Sequence, residues 1–166
     1  RERDRERREE KNEGEEREQR VSLIPSVAKN EAAAIKDWVK ITDDLFIFKQ
    51  AENIIALQDQ WKYDLSLLQK RLYLRKAGIT IGSLKGKDMV PDHELALSLM
   101  INDQNRVAHI NKEQALQYLK RKEMSIENGP KGWALVAYCG INLGWMKVLH
   151  NRINNYYPVN WRILKD

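Results

Sequence analysis

One cysteine in 166 residues excludes an internal disulfide framework and fits a reducing compartment. No apolar run approaches the roughly 18 residues a membrane helix needs, and the N-terminus is too charged for a secretory signal, so a soluble, cytoplasmic protein is expected. The three histidines, His93, His109 and His150, have neither H-x-x-x-H spacing nor a cysteine partner, which leaves no metal site; a surface or capping role is expected for each. Glycine is equally unhelpful to a nucleotide-binding reading. No G-x-G-x-x-G follows a strand, and in Gly82-Ser83-Leu84-Lys85-Gly86-Lys87 an isoleucine precedes the first glycine and Asp88 follows the lysine, so the phosphate-cradling loop is absent. Asp43-Asp44 reads as a turn, not an acid/base pair.

The charge that is present is unevenly placed. Residues 1–20 carry eight basic and nine acidic side chains and no apolar one, so they cannot bury a core; residues 1–30 are expected to be a charged linker or solvated helix. Residues 21–166 carry 21 basic against 15 acidic side chains, a cationic excess suited to a polyanionic partner. Two stretches concentrate it. Lys70, Arg71, Arg75, Lys76, Lys85 and Lys87 lie between positions 70 and 88 with one acid, and Lys131, Lys147, Arg152, Arg162 and Lys165 lie after position 130 with one more. The first residue is arginine, so the chain reads as a piece of a longer protein.

The apolar pattern gives mixed structure. A helix is expected over Glu31–Val39, a strand over Leu45–Phe48, and an amphipathic helix over 52–70 from the spacing of Ile54, Ile55, Leu57, Trp61, Leu65 and Leu68. Strands are expected at Leu72–Lys76 and Ile79–Leu84, then a helix opened by Pro91 in its first turn with Leu95, Leu99 and Met100 inward. A second helix, Asn111–Arg121, has an Asn111/Gln114 capping box and an apolar stripe of Ala115, Leu116 and Leu119. Lys131–Arg162, KGWALVAYCGINLGWMKVLHNRINNYYPVNWR, contains two alternating runs punctuated by Gly140 and Gly144, which is a β-hairpin followed by a fixed loop. Trp133 and Trp145 are core positions, and Cys139 at the end of the first run is expected to be a small buried thiol. Without regular βαβ alternation the class is α+β.

Gly144-Trp145-Met146-Lys147 followed by Asn155-Tyr156-Tyr157-Pro158 and Arg162 resembles the C-terminal PUA-like RNA-binding domain of RsmF-type RNA cytosine-5 methyltransferases. Leu74-Arg75-Lys76-Ala77-Gly78-Ile79-Thr80-Ile81-Gly82 and Pro91-Asp92-His93-Glu94-Leu95-Ala96-Leu97 are similar to that domain's strand pair and proline-led helix, in the same order. Met146 and Asn154 depart from it, standing where the family usually has glycine and lysine. The resemblance implies a small PUA-like mixed β pseudo-barrel with flanking helices over residues 31–166. It also implies RNA contact through Lys85, Lys87, Lys147, Arg152, Asn155, Tyr156 and Arg162, on one surface. Lys and Arg would neutralise phosphates, and Tyr156 or Trp161 would stack on an unpaired base.

The family's catalysis needs a cofactor domain and a Pro-Cys nucleophile, and this chain has neither. No methyl transfer, no catalytic residue and no cofactor are therefore expected here, S-adenosylmethionine belonging to a separate catalytic domain. The implied partners are ribosomal RNA and a methyltransferase domain in cis, with no membrane and no DNA. The alternative is a protein–protein docking module without RNA contact; a small nuclease has no motif behind it.

Overall fold

The computed structural model describes Ile24 and residues 27–86, 88–126 and 130–165. Most of the charged linker expected over 1–30, and Lys87, therefore lie outside the described residues. The elements are α1 (Lys29–Ile35), β1 (Leu45–Gln50), β2 (Asn53–Gln58), α2 (Lys62–Arg71), β3 (Ile79–Lys85), β4 (Asp88–Pro91), α3 (His93–Leu97), β5 (Val107–His109), α4 (Lys112–Leu119), β6 (Gly132–Tyr138), β7 (Ile141–Val148) and β8 (Ile153–Asn155), with short 3-10 turns at Asp59–Trp61 and Val159–Trp161. The strands form two four-stranded sheets, ordered β1-β2-β3-β4 and β5-β6-β7-β8. The fold is thus the expected α+β PUA-like type, although among the described residues neither sheet closes into a barrel. All pairings are antiparallel except β5 with β6.

The main core lies between the sheets. Ile54, Ala56, Ile81 and Met89 of the first meet Leu135 and Trp145 of the second, with Ile35 and Val39 closing one side and Leu95 and Ala96 another. The opposite face of the second sheet, through Ala134, Val136 and Met146, packs on Ala115 and Tyr118 of α4. On the outer side of the first sheet, Phe46, Phe48 and Ile55 pack against Leu65 of α2. Each sheet is therefore covered on both faces.

Several expectations are corrected by this packing. The helix foreseen over 52–70 begins only at Lys62; Ile54, Ile55 and Ala56 are the buried centre of β2. A strand covered on both faces shows a continuous apolar run, which mimics helical spacing. Leu72–Lys76 forms no strand, because β2 and β4 already flank β3. Pro91 ends β4 instead of opening a helix, and Asp92 supplies the cap by accepting the Glu94 N–H at 2.9 Å. Leu99 and Leu116, expected inward, are exposed, and Tyr118 is the buried anchor of α4.

Cys139 is exposed, not buried. It and Gly140 are the two-residue turn joining β6 to β7, with φ of +49° and +78°. Both values are positive, as the hairpin turn that matches strand twist requires.

Candidate nucleic-acid interface

The β6–β7 hairpin positions the best-developed surface. A bulge between Val136 and Ala137 shifts the register so that Leu135 opposes Trp145 and Trp133 opposes Lys147. These four side chains share the face turned toward the first sheet. Trp145 is buried there, its Nε1 donating to the Asp92 carbonyl at 2.8 Å and its ring meeting Trp38 edge-on at 5.5 Å. Trp133 sits one pair nearer the rim and is half-buried against the core, touching Trp38 at 6.3 Å. The Lys147 ammonium lies 5.2 Å from the Trp133 ring centroid, and the Tyr156 ring lies 4.4 Å from it at 59°. Tyr156 itself is 37% exposed.

The physical consequence is a rigid aromatic step with a cation beside it. Trp133 is held on several sides by its own neighbours, so Tyr156 is the ring offered to solvent. A cavity of about 330 Å³ adjoins the step, lined by Trp38, Trp133, Met89, Lys147, Asp37 and Asp88. Its two carboxylates outnumber the Lys147 ammonium and supply acceptors for amino or imino protons.

The remaining sequence-derived residues are dispersed. Lys85 ends β3, exposed and opposite Asp88, which brings that hairpin end to the cavity shared with Lys147. Arg152 lies in the turn between β7 and β8, on a separate cleft. Asn155 points into the fold: its Nδ2 donates to the Tyr118 carbonyl and its Oδ1 accepts the Tyr157 N–H, both at 2.8 Å. Arg162 follows the last 3-10 turn and is exposed, while the next N–H, of Ile163, donates to the Leu119 carbonyl at the end of α4. Among the described residues, Lys40, Lys49 and Lys76 are ion-paired with Asp103, Glu31 and Glu94, whereas Lys85, Lys147, Arg152 and Arg162 are not.

Sequence reasoning missed a nest behind this surface. The Nδ1 of His93 is buried without a hydrogen-bond partner, and its ring meets Tyr157 and Trp161 edge-on at 5.3 and 5.2 Å. This is a packing role, not the surface or capping one expected. Burial pulls the imidazole below the usual histidine range, against the opposing pull of Asp92 and Glu94. Beside it Tyr118 is fully buried, its hydroxyl donating to the Trp145 carbonyl at 2.9 Å, and burial raises its pKa far above the phenolic range. Arg121 donates to the Tyr157 carbonyl and ties the tail to α4. The signal in sequence was Gly144, where a Cβ would lie 2.5 Å from the Tyr118 hydroxyl and 2.9 Å from His93 Nδ1.

Among the described residues there is no group of histidine, cysteine and carboxylate side chains fit for a metal, and no helix long and apolar enough to cross a membrane. Residues 105–163, essentially the second sheet with α4 and the tail, match the family model of the methyltransferase RsmF PUA domain. The chain is similar to ribosomal RNA small subunit methyltransferase F of Shewanella oneidensis, 27% identical over 153 residues covering 84% of this chain and 32% of that protein. The same-named protein of Vibrio vulnificus is 27% identical over 135 residues, covering 79% of this chain and 28% of that one. That of Shewanella loihica is 29% identical over 90 residues, covering 53% and 18%. The chain thus spans about a third or less of the length of these relatives. An 84% match extends beyond the family segment into the first sheet.

Proposed function

We propose, taking the match of residues 105–163 to the RsmF PUA domain as premise, that this chain is a non-catalytic RNA-binding module that positions ribosomal RNA for a cytosine-5 methyltransferase domain in the same protein. The observation that carries the reading is the step made by Trp133, Tyr156 and Lys147: a solvent-facing ring fixed on a second ring, with an ammonium free of any ion pair among the described residues. An exposed aromatic stacks on unpaired bases regardless of identity, and an adjacent cation meets the phosphate. Lys85, exposed at the end of β3 opposite Asp88, adds a second cation. On this reading the chain holds no cofactor of its own, and S-adenosylmethionine is bound by the catalytic domain. The relatives' name, ribosomal RNA small subunit methyltransferase F, supports ribosomal RNA as the substrate.

The test is RNA affinity of the chain as a function of salt. Lys147→Ala is expected to weaken binding to many RNAs about equally and to reduce the salt slope by roughly 0.7–0.9. Tyr156→Ala is expected to cost about 1–3 kcal/mol on single strands, little on duplex, with the slope unchanged. Binding that ignores salt and both substitutions would favour the docking-module alternative.

A further inference from the structure

A second cleft, of about 700 Å³, opens at the far end of the β7–β8 hairpin. One wall is the stretch after α4, including Met124, Ser125 and Ile126, and the other is the turn carrying Arg152. Each wall carries a hydrogen bond. Gln114, already engaged in the capping box, donates from Nε2 to the Ser125 carbonyl at 3.2 Å, and the Leu149 N–H donates to the Arg152 carbonyl at 2.9 Å. The floor is apolar: Met124 is buried, and Ile126, Val148 and Ile153 are half-buried on the α4 core. The rim is cationic, with Lys131 and Arg152 facing one carboxylate, Glu123, and neither cation has an ion-pair partner among the described residues.

An apolar floor large enough for a planar ring, under two cations, suits a nucleotide better than either a free anion or an apolar peptide. A free phosphate would leave the floor unused, and an apolar peptide would leave the cations unused. The cleft lies on the opposite face of the second sheet from the aromatic step, with β8 between them. Asn154 pairs with Lys147 across the ladder, and Arg152 lies two residues further along, about 7 Å at the rise of a strand. We propose that this cleft seats one unpaired nucleotide of the RNA strand whose neighbouring nucleotides lie at Lys147 and Tyr156, its base on Ile126, Val148 and Ile153 and its phosphate between Lys131 and Arg152. The inference rests on the RNA-binding reading above and adds a second base seat, so that one single strand crosses the β8 edge.

The test uses the full chain with a short homopolymeric RNA, followed by fluorescence anisotropy across a salt series, and with uridine monophosphate and inorganic phosphate followed by methyl resonances. Lys131→Ala and Arg152→Ala are each expected to weaken single-strand binding about tenfold and to lower the salt slope by roughly 0.7. Ser125→Trp, an exposed rim position that would fill the cleft, is expected to weaken it similarly with the slope unchanged. Uridine monophosphate should shift the Ile126, Val148 and Ile153 methyls, and inorganic phosphate should not. If these variants bind normally while Lys147→Ala does not, the cleft proposal fails and the RNA reading stands. Absence of RNA binding by the unaltered chain at low salt sinks both. Equal shifts from inorganic phosphate, or displacement of the nucleotide by an acidic peptide at lower concentration, would overturn the base seat.

Discussion

Gly144→Ala should be among the most damaging single-methyl changes in the second sheet. Gly144 sits on β7 with φ of +146°, and a Cβ there would lie 2.5 Å from the Tyr118 hydroxyl and 2.9 and 3.0 Å from Nδ1 and Cε1 of His93. A tyrosine oxygen at the end of a mobile side chain could give way cheaply, but Tyr118 is fully buried and its hydroxyl is committed to the Trp145 carbonyl at 2.9 Å. Breaking that bond strands the buried Tyr118 donor, the Trp145 carbonyl keeping the Tyr156 N–H, which costs about 1–3 kcal/mol, and the backbone conformation adds about 1–3 kcal/mol for any residue with a Cβ. The expected loss is therefore about 2–6 kcal/mol, or a melting temperature lower by about 8–24 °C at roughly 4 °C per kcal/mol. Gly140→Ala is the control: its φ is +78° but nothing lies within 4 Å of the added carbon, so only the backbone cost applies. Denaturant titration of both variants, and of Gly144→Ala combined with Tyr118→Phe, isolates the collision. Removing the hydroxyl relieves the contact, so the double variant should be less destabilised than the sum of the single ones. A Gly144→Ala loss no larger than that of Gly140→Ala, or strict additivity in the cycle, would refute the geometry.

What the sequence revealed and what it hid divide along the range of the interactions. The β6–β7 hairpin was readable because its alternation and its Cys139-Gly140 turn are local, and the Asn111/Gln114 box because a cap is a four-residue device. Even there the local pattern misled on Cys139, since the last strand-like residue can be the first turn residue. Register shows the limit more sharply. Counting back from that turn without a bulge would set Trp133 opposite Met146; the bulge after Val136 sets it opposite Lys147 and so creates the cation–ring pair. Only the glycine at 144 hinted at the irregularity. The His93 nest joins α3, α4, β7 and the tail. No periodicity links positions so far apart. Lys147 and Tyr156, both singled out by the resemblance, adjoin the Trp133 ring, yet the resemblance gave no sign that Arg152 lines a different cleft or that the Asn155 amide is consumed inside the fold.

Three further outcomes follow from particular contacts, and one concerns the interface itself. Burial holds the His93 imidazole below its ordinary range, so the unfolded chain takes up the proton first as pH falls below about 6.5; stability should drop between about pH 7 and pH 5, less so in His93→Asn, and identical melting curves for both across that window would contradict the burial. Cys139, at the hairpin tip, should react with a thiol reagent in the native state nearly as fast as in denaturant, and strong native protection would show that the turn is placed wrongly. Asn111→Ala removes the acceptor of the Gln114 N–H and should cost about 1 kcal/mol in urea unfolding; no measurable change would mean the box contributes nothing. The last concerns Asn155, which the tail motif suggests as an RNA contact. Its amide spans the Tyr118 carbonyl and the Tyr157 N–H, so Asn155→Ala leaves the Tyr157 N–H without its acceptor and removes one of two bonds to the Tyr118 carbonyl, which keeps the Arg121 N–H, and should lower stability by about 1–3 kcal/mol. RNA affinity measured at a temperature where the variant is still folded should then keep its salt slope, because no phosphate contact has been lost. An Asn155→Ala protein that melts normally but binds RNA more weakly would instead make Asn155 a direct contact, and would require its side chain to leave Tyr118 when RNA arrives.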